Sequence, residues 1–264
     1  MHRIAWDHEE HWMAEKKLSG KVALITGASR GLGKAMALAL AQAGAKLALV
    51  SRNRERLDAV AKEVEAAGGE GKVFIADVTR EDQVASLERE VTAAHGGIQI
   101  LINNAGINVR KPLTDFKLEE WNSVIHTNLT AAFLLCRAFV PQMKGRGYGR
   151  IINITSTMSH VSMPARGAYS ASKAGLLGMT RALALELAGD GITVNGISPG
   201  PFATEMNTVL MQDPEINRQF VSRIPLGRWG KVEEVGQLAV YLCGEDSGFI
   251  TGTDILIDGG WCAQ

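Results

Sequence analysis

The sequence predicts an α/β fold: a doubly wound parallel sheet of seven strands with helices on both faces. Three observations carry this. From residue 21 onward, short β-rich runs alternate with segments of helical character. Several of these runs lack polar alternation, as strands buried on both faces do. The first run leads through a glycine-rich turn straight into a helix, as a βαβ unit begins. Right-handed crossovers then stack the strands into one sheet.

The elements follow in order. "KVALITGA" (21–28) is a strand, and "LGKAMALALAQAGA" (32–45) is a helix that stops at Gly44, a natural C-cap. "KLALVSR" (46–52) is the second strand and "RERLDAVAKEVEAAGG" (54–69) the second helix. "KVFIADV" (72–78) is the third strand, followed by a helix over 81–94. "IQILINNAG" (98–106), "RIINITS" (150–156), "ITVNGISPG" (192–200) and "DILIDGG" (254–260) are the remaining strands. Helices over 118–144, 168–188 and 231–243 separate them. Residues 201–228, with several Met and Phe, interrupt the alternation and read as a lid inserted after the sixth strand. With no linker and no repeat, residues 19–264 form one expected domain behind an N-terminal extension, 1–18.

Composition bounds the function. Lys plus Arg number 28 and Asp plus Glu 28, so there is no basic excess to suggest nucleic acid or an anionic membrane. No apolar run approaches the roughly 20 residues that span a bilayer. The N-terminus is polar and unlike a signal peptide. Cys136, Cys243 and Cys262 are far apart and odd in number, which fits reduced thiols and a cytoplasmic location. His2, His8 and His11 lack metal-site spacing, and no metal is expected.

"TGASRGLG" (26–33) sits between the first strand and the first helix. Gly27, Gly31 and Gly33 allow a tight turn and a close ligand, with Ser29, Arg30 and Leu32 beside them. The helix N-terminus behind them favours a pyrophosphate. The spacing G-x-x-x-G-x-G differs from G-x-G-x-x-G, but the strand–turn–helix context makes this a Rossmann-type dinucleotide site. At the end of the second strand stand Ser51 and Arg52, with no carboxylate before Glu55. Arg there, with Arg30, suits the 2′-phosphate of NADP(H) better than the free hydroxyl of NAD(H). Further on, "YSASK" puts Tyr169 and Lys173 on one helix face. A cation beside a phenol favours phenolate, so the pair fits an acid/base device working near neutrality.

Taken together these stretches resemble the short-chain dehydrogenase/reductase superfamily from about residue 19 to 260. "TGASRGLG", "NNAG" (103–106), Asn128 in "HTNLT", Ser156 thirteen residues before Tyr169, "YSASK", "SPGPFAT" and "IDGG" occur in the family's order. The resemblance implies that Tyr169 exchanges the proton with the substrate oxygen and that Ser156 orients that oxygen. It implies that Lys173 binds the nicotinamide ribose and lowers the phenol pKa, while Asn128 holds a water linking Lys173 to solvent. It also implies cofactor contacts from Asp77, Val78, Asn104, Ala105, Gly106, Pro199, Gly200 and Thr204.

"NAGINVRKPL" and the lid sequence look most like the gluconate 5-dehydrogenase branch, which acts on sugar acids and their keto forms. A 3-oxoacyl-[acyl-carrier-protein] reductase shares the core motifs; the neutral charge counts against its acidic carrier. A non-catalytic NADP-binding sensor would show a broken Ser/Tyr/Lys set, and here the set is intact. For a small anionic substrate, Arg110, Lys111 and Arg166 are candidate carboxylate ligands, with Met206, Met211 and Phe220 closing over it. The apolar residues of "AGLLGMTRALALELA" (174–188) look too many for one buried face, so a homo-oligomer is expected, and the family resemblance implies a homotetramer.

Overall fold

The computed structural model describes residues 16–264, the side chains of Met206 and Val209 excepted. The N-terminal histidines, His2, His8 and His11, lie outside the described residues. Seven parallel strands run β1 Val22–Thr26, β2 Lys46–Ser51, β3 Glu70–Ile75, β4 Ile100–Asn103, β5 Gly149–Ile154, β6 Ile192–Pro199 and β7 Asp254–Ile257. Their order is β3-β2-β1-β4-β5-β6-β7. The helices are α1 Gly31–Gln42, α2 Arg54–Ala66, α3 Glu81–His95, α4 Leu118–Ile125, α5 Ala131–Met143, α6 Gly167–Leu187, α7 Thr208–Gln212, α8 Pro214–Val221 and α9 Val232–Cys243.

The pleat sends alternate side chains of each strand to opposite faces. Ala23 and Ile25 of β1 pack with Met36 and Leu40 of α1, Leu57 and Val60 of α2, and Val235 and Ala239 of α9. Val22 and Leu24 pack instead with Val84 and Leu87 of α3, Leu135 and Phe139 of α5, and Ala184 of α6. Burying each such Leu or Ile stabilises by about 1.5–3 kcal/mol. Both faces are covered, which is why the strands show so little polar alternation. The chain winds outward from β1 in one direction and from β4 in the other. A crevice therefore opens between their C-terminal ends.

Several boundaries differ from those expected. Leu18, assigned to the extension, is fully buried and donates its amide to the Ala43 carbonyl at 2.8 Å. The third strand starts at Glu70 and leaves the ladder at Ile75, so Asp77 and Val78 belong to the loop at the crevice. The helix expected over 118–144 is continuous but contains a π-helical turn, His126–Thr130, in which Ala131 bonds back to His126. Its 26 residues are long and apolar enough on average to cross a membrane. Glu119, Glu120 and Arg137 break any uninterrupted apolar run, so the sequence reading missed this. Leu134, Leu135, Phe139, Val140 and Met143 are buried, as in a core helix. In α6, Leu176, Leu177 and Leu187 are buried too, and Leu185 alone among its large apolar residues is fully outside.

Candidate active site

The β1–α1 turn is built by close packing. A Cβ at Gly33 would lie 2.3 Å from the Gly27 carbonyl oxygen, so this contact requires glycine. Gly31 has φ +53°, a left-handed conformation that side chains resist. Thr26 ties the turn to the neighbouring β4 loop: its hydroxyl accepts from the amides of Asn104 and Ala105 at 3.0 and 3.1 Å. The Asn104 amide group in turn donates to the Thr26 carbonyl at 2.8 Å. No side chain caps α1, which leaves its first N–H groups for a ligand.

From this turn a cleft of about 470 Å³ runs along the C-terminal ends of the strands. Gly27, Ser29, Arg30, Gly31, Leu32, Gly33, Ser51 and Arg52 line one end. Asp77, Val78, Asn104, Ala105, Gly106, Pro199, Gly200 and Thr204 line the middle, and Ser156, Tyr169 and Lys173 the far side. Arg110, Arg166 and Phe220 complete that side. Lys111 is not part of it: its ammonium pairs with Glu120 at 2.7 Å, nine residues along the chain. Met211 is also absent from the lining, and the Met206 side chain lies outside the described residues.

β5 and α6 position the reactive groups. The Ser156 hydroxyl caps the short turn after β5 by accepting from the Met158 amide at 3.1 Å. Lys173, one turn along α6 from Tyr169, is buried and donates to the Ile154 carbonyl at 2.6 Å. Burial pushes its pKa down to about 8, and the charge of Asp254 opposes that fall. The Tyr169 phenol is pushed above its ordinary value by burial. What pulls it back is the hydrogen bond to Ser156, then the charges of Arg166 and Arg110. The Lys173 ammonium stands close by as well, 5.8 Å from the centre of the Tyr169 ring.

Asn128 lies buried in the π-helical turn before α5. Its amide is held by protein, accepting from the Ile107 amide at 2.8 Å and donating to the Ile107 carbonyl and the Ser172 hydroxyl. A Cβ at Gly106 would lie 3.3 Å from Asn128 Oδ1 and 3.6 Å from Lys173 Nζ, so the two residues flank one glycine. The side chain fixes the Ile107 segment, and at most one lone pair of Oδ1 is left for a water.

The sequence reading missed several groups. Arg56, in the first turn of α2, lines the cleft with Arg52, which precedes the helix. Glu205 accepts from Arg30 at 2.7 Å and Arg56 at 3.4 Å, joining the lid segment to the arginines. Asn108 lines the cleft with a buried Oδ1 that has no hydrogen-bond partner. Phe220 stacks between Trp229 and Trp261, with ring centres 4.9 and 5.2 Å apart. Among the described residues, no group of His, Cys, Asp and Glu could hold a metal ion.

The arrangement sets a hydroxyl, a phenol and an ammonium beside two guanidiniums, at the end of a cleft whose other end is rich in backbone donors and arginine. It can hold a dinucleotide and move a proton at an adjoining oxygen. The enoyl-(acyl carrier protein) reductase family model matches residues 27–262. Gluconate 5-dehydrogenase of Gluconobacter oxydans is 40% identical over 247 residues, covering 92% of this chain and 95% of that one. The 3-oxoacyl-[acyl-carrier-protein] reductase FabG of Thermotoga maritima is 42% identical over 245 residues, covering 92% and 98%. The crystal structure of a gluconate 5-dehydrogenase from Burkholderia cenocepacia, in complex with NADP and tartrate, superposes with a TM-score of 0.90 at 36% identity, covering 95% of this chain and 98% of that one. The chain therefore belongs to the short-chain dehydrogenase/reductase superfamily, is similar to its gluconate 5-dehydrogenase branch, and is an NAD(P)-dependent oxidoreductase.

Proposed function

We propose that the protein uses NADP(H) to interconvert a secondary alcohol and a ketone on a small polyhydroxy acid, such as gluconate and 5-ketogluconate. One observation carries the substrate class: Arg110 and Arg166 converge in the same cleft as Tyr169 and Ser156. Burial, then the nearby charge of Arg110, lowers the pKa of Arg166. A carboxylate between them relieves that repulsion and gains charge-assisted hydrogen bonds. Asn108, with its unpartnered buried oxygen, is an acceptor for a substrate hydroxyl. The Burkholderia relative crystallised with NADP and tartrate, itself a small hydroxy acid, supports the same reading.

The residues fit the cofactor. The Gly33 contact keeps the turn tight enough for a pyrophosphate, and Arg30, Arg52 and Arg56 gather where the 2′-phosphate belongs. When bound, the nicotinamide supplies or accepts the hydride. Ser156 and Tyr169 then hold the substrate oxygen, and Tyr169 exchanges its proton as charge develops there. Lys173 holds the ribose side, and Asn128 keeps the Ile107 segment in place beside it. Residues 201–228 act as a lid, and Phe220 forms an apolar wall that excludes water. The working assembly is a homotetramer.

A second reading is a 3-oxoacyl-[acyl-carrier-protein] reductase. The FabG relative and the apolar lining from Met158, Met163, Phe202 and Trp261 favour it. The deciding experiment compares gluconate, an uncharged polyol of equal length and an acetoacetyl thioester. A carboxylate preference that disappears in Arg110→Ala or Arg166→Ala is the expected result. Efficient thioester reduction, with no carboxylate preference, moves the assignment to the second reading.

A further inference from the structure

We infer that Asp254, on β7, is a positioning residue that holds both ends of the Ser156 turn and supplies the buried counter-charge for Lys173. Asp254 touches neither cofactor nor substrate in this assignment. It acts through its neighbours, and the inference rests on the catalytic roles proposed above for Ser156 and Lys173.

The carboxylate is placed with care for its bonds. Its side chain is 3% exposed, and an isolated buried carboxylate is costly. Oδ1 lies 2.6 Å from the Thr155 hydroxyl, whose one proton is shared between it and the Ile197 carbonyl at 2.7 Å, and Oδ2 accepts from the Ser198 hydroxyl at 2.7 Å. Oδ2 also lies 2.8 Å from His160 Nε2. Thr155 and Ser198 are buried, and their hydroxyl oxygens are 3.0 Å apart. Space for the carboxylate is made by Gly196 on the adjacent strand, where a Cβ would fall 2.2 Å from Oδ1.

These bonds bracket the reactive serine. Thr155 immediately precedes Ser156, and His160 follows it by four residues, at the far end of the turn Thr157–Ser159. One carboxylate thus grips the chain on both sides of Ser156. A serine that must meet a substrate oxygen within a few tenths of an ångström gains from such support. None of these partners is close to Asp254 in sequence; they come from β5, β6 and the loop beyond β5.

The same carboxylate is one residue removed from the lysine's own bond: Thr155, which it contacts, follows Ile154, whose carbonyl accepts from Lys173. Lys173 is surrounded by the Ile154 carbonyl from β5, Asn128 from the π-helical turn, Gly106 from the β4 loop and Tyr169 on its own helix. The nearby charges of Arg166 and Arg110 bear on Tyr169. Burial lowers the lysine, and the Asp254 charge opposes that fall. Thr155, Ser198 and His160 are the groups that face Asp254 itself.

The test uses the full-length protein and two readouts. Lys173 is titrated by side-chain NMR of the ¹³C-lysine-labelled, cofactor-free protein, assigned with Lys173→Met. In Asp254→Asn, which keeps the shape but removes the charge, the Lys173 midpoint falls by at least about half a pH unit. Turnover is then measured with NADPH and the preferred ketone. His160→Ala lowers kcat roughly tenfold at unchanged cofactor KM, on the scale of a misplaced catalytic group, and His160→Gln restores much of it by keeping a donor. Thr155→Val gives a similar loss without touching either charge. Circular dichroism and thermal melts confine the comparison to folded protein. An unmoved Lys173 midpoint in folded Asp254→Asn, or wild-type kcat in both His160→Ala and Thr155→Val, overturns the inference. If Ser156→Ala itself keeps wild-type turnover, the site reading fails and takes this inference with it.

Discussion

The Lys173 ammonium lies 5.8 Å from the centre of the Tyr169 ring, and both side chains project from one face of α6. The ammonium donates to the Ile154 carbonyl rather than to the phenol. The phenol is hydrogen-bonded to Ser156 and biased by Arg166 and Arg110. The phenol thus stands near a buried lysine and within the charge of two arginines.

Replacing Tyr169 with Phe keeps the ring and removes the proton. Turnover is expected to fall at least about a hundredfold, the usual scale of general acid–base catalysis. Cofactor titration by fluorescence should give near-normal binding. Near-full activity in a variant that binds cofactor would refute the assignment.

Lys173 also shapes stability against pH. Its pKa falls from 10.5 to about 8 on folding. Below pH 8 the lysine is charged in both states and the full burial penalty is present. As pH rises from 8 toward 10.5, the folded protein has released a proton that the unfolded chain still holds, so stability rises. Lys173→Met lacks this effect. The unfolding free energy of Lys173→Met relative to the starting protein should therefore decline by up to about 3 kcal/mol across that window. Urea melts at pH 7.5 and pH 10 measure it. A pH-independent difference would mean that the lysine is not desolvated.

The sheet was legible because strand and helix patterns alternate through the first six strands, and Ser156, Tyr169 and Lys173 because their motif is local. What was not legible depends on distance in the chain. Glu205 meets Arg30 across 175 positions, and Asp254 meets Thr155 across 99. No spacing rule reaches that far. Lys111 failed for a different reason: a carboxylate nearby in sequence, Glu120, captured it before it could face the cleft. The apolar character of α6 likewise could not be divided between core and surface until the sheet was in place to cover Leu176, Leu177 and Leu187.

Cofactor choice should depend on Arg52. Its guanidinium is exposed and 3.8 Å from the Asp77 carboxylate, with room to turn toward a phosphate. Arg52→Asp removes an attraction and adds a repulsion, the two-sided route to specificity. The kcat/KM for NADP should drop at least about tenfold, while that for NAD holds or rises. Equal efficiency with both cofactors in the starting protein would sink the reading.

Leu185 on α6 is 83% exposed, and Phe249, just before β7, is fully exposed. In the proposed homotetramer a second copy would cover such residues. Light scattering should give a mass near four times the 28.3 kDa chain. Leu185→Glu should lower it. A stable monomer at micromolar concentration would contradict the homotetramer.

The last prediction concerns Glu205, which holds two of the arginines that the 2′-phosphate needs. Hydrogen bonding to Arg30, then the charges of Arg30 and Arg56, keep its carboxyl below the ordinary range. It is therefore ionised throughout the neutral region and competes with a phosphate at every working pH. The contacts are exposed, so the competition is modest and screened by salt. Glu205→Gln keeps the side-chain length and removes the charge. Calorimetric titration at low ionic strength should show NADP binding about two- to fivefold tighter, consistent with an exposed charge pair of this kind. NAD has no phosphate at that position, so its affinity should not change. The gain should shrink as salt is raised, because the repulsion it removes is already screened there. Equal strengthening of NAD and NADP would instead assign the effect to the lid conformation, and weaker NADP binding would show that Glu205 assists the arginines rather than competing for them.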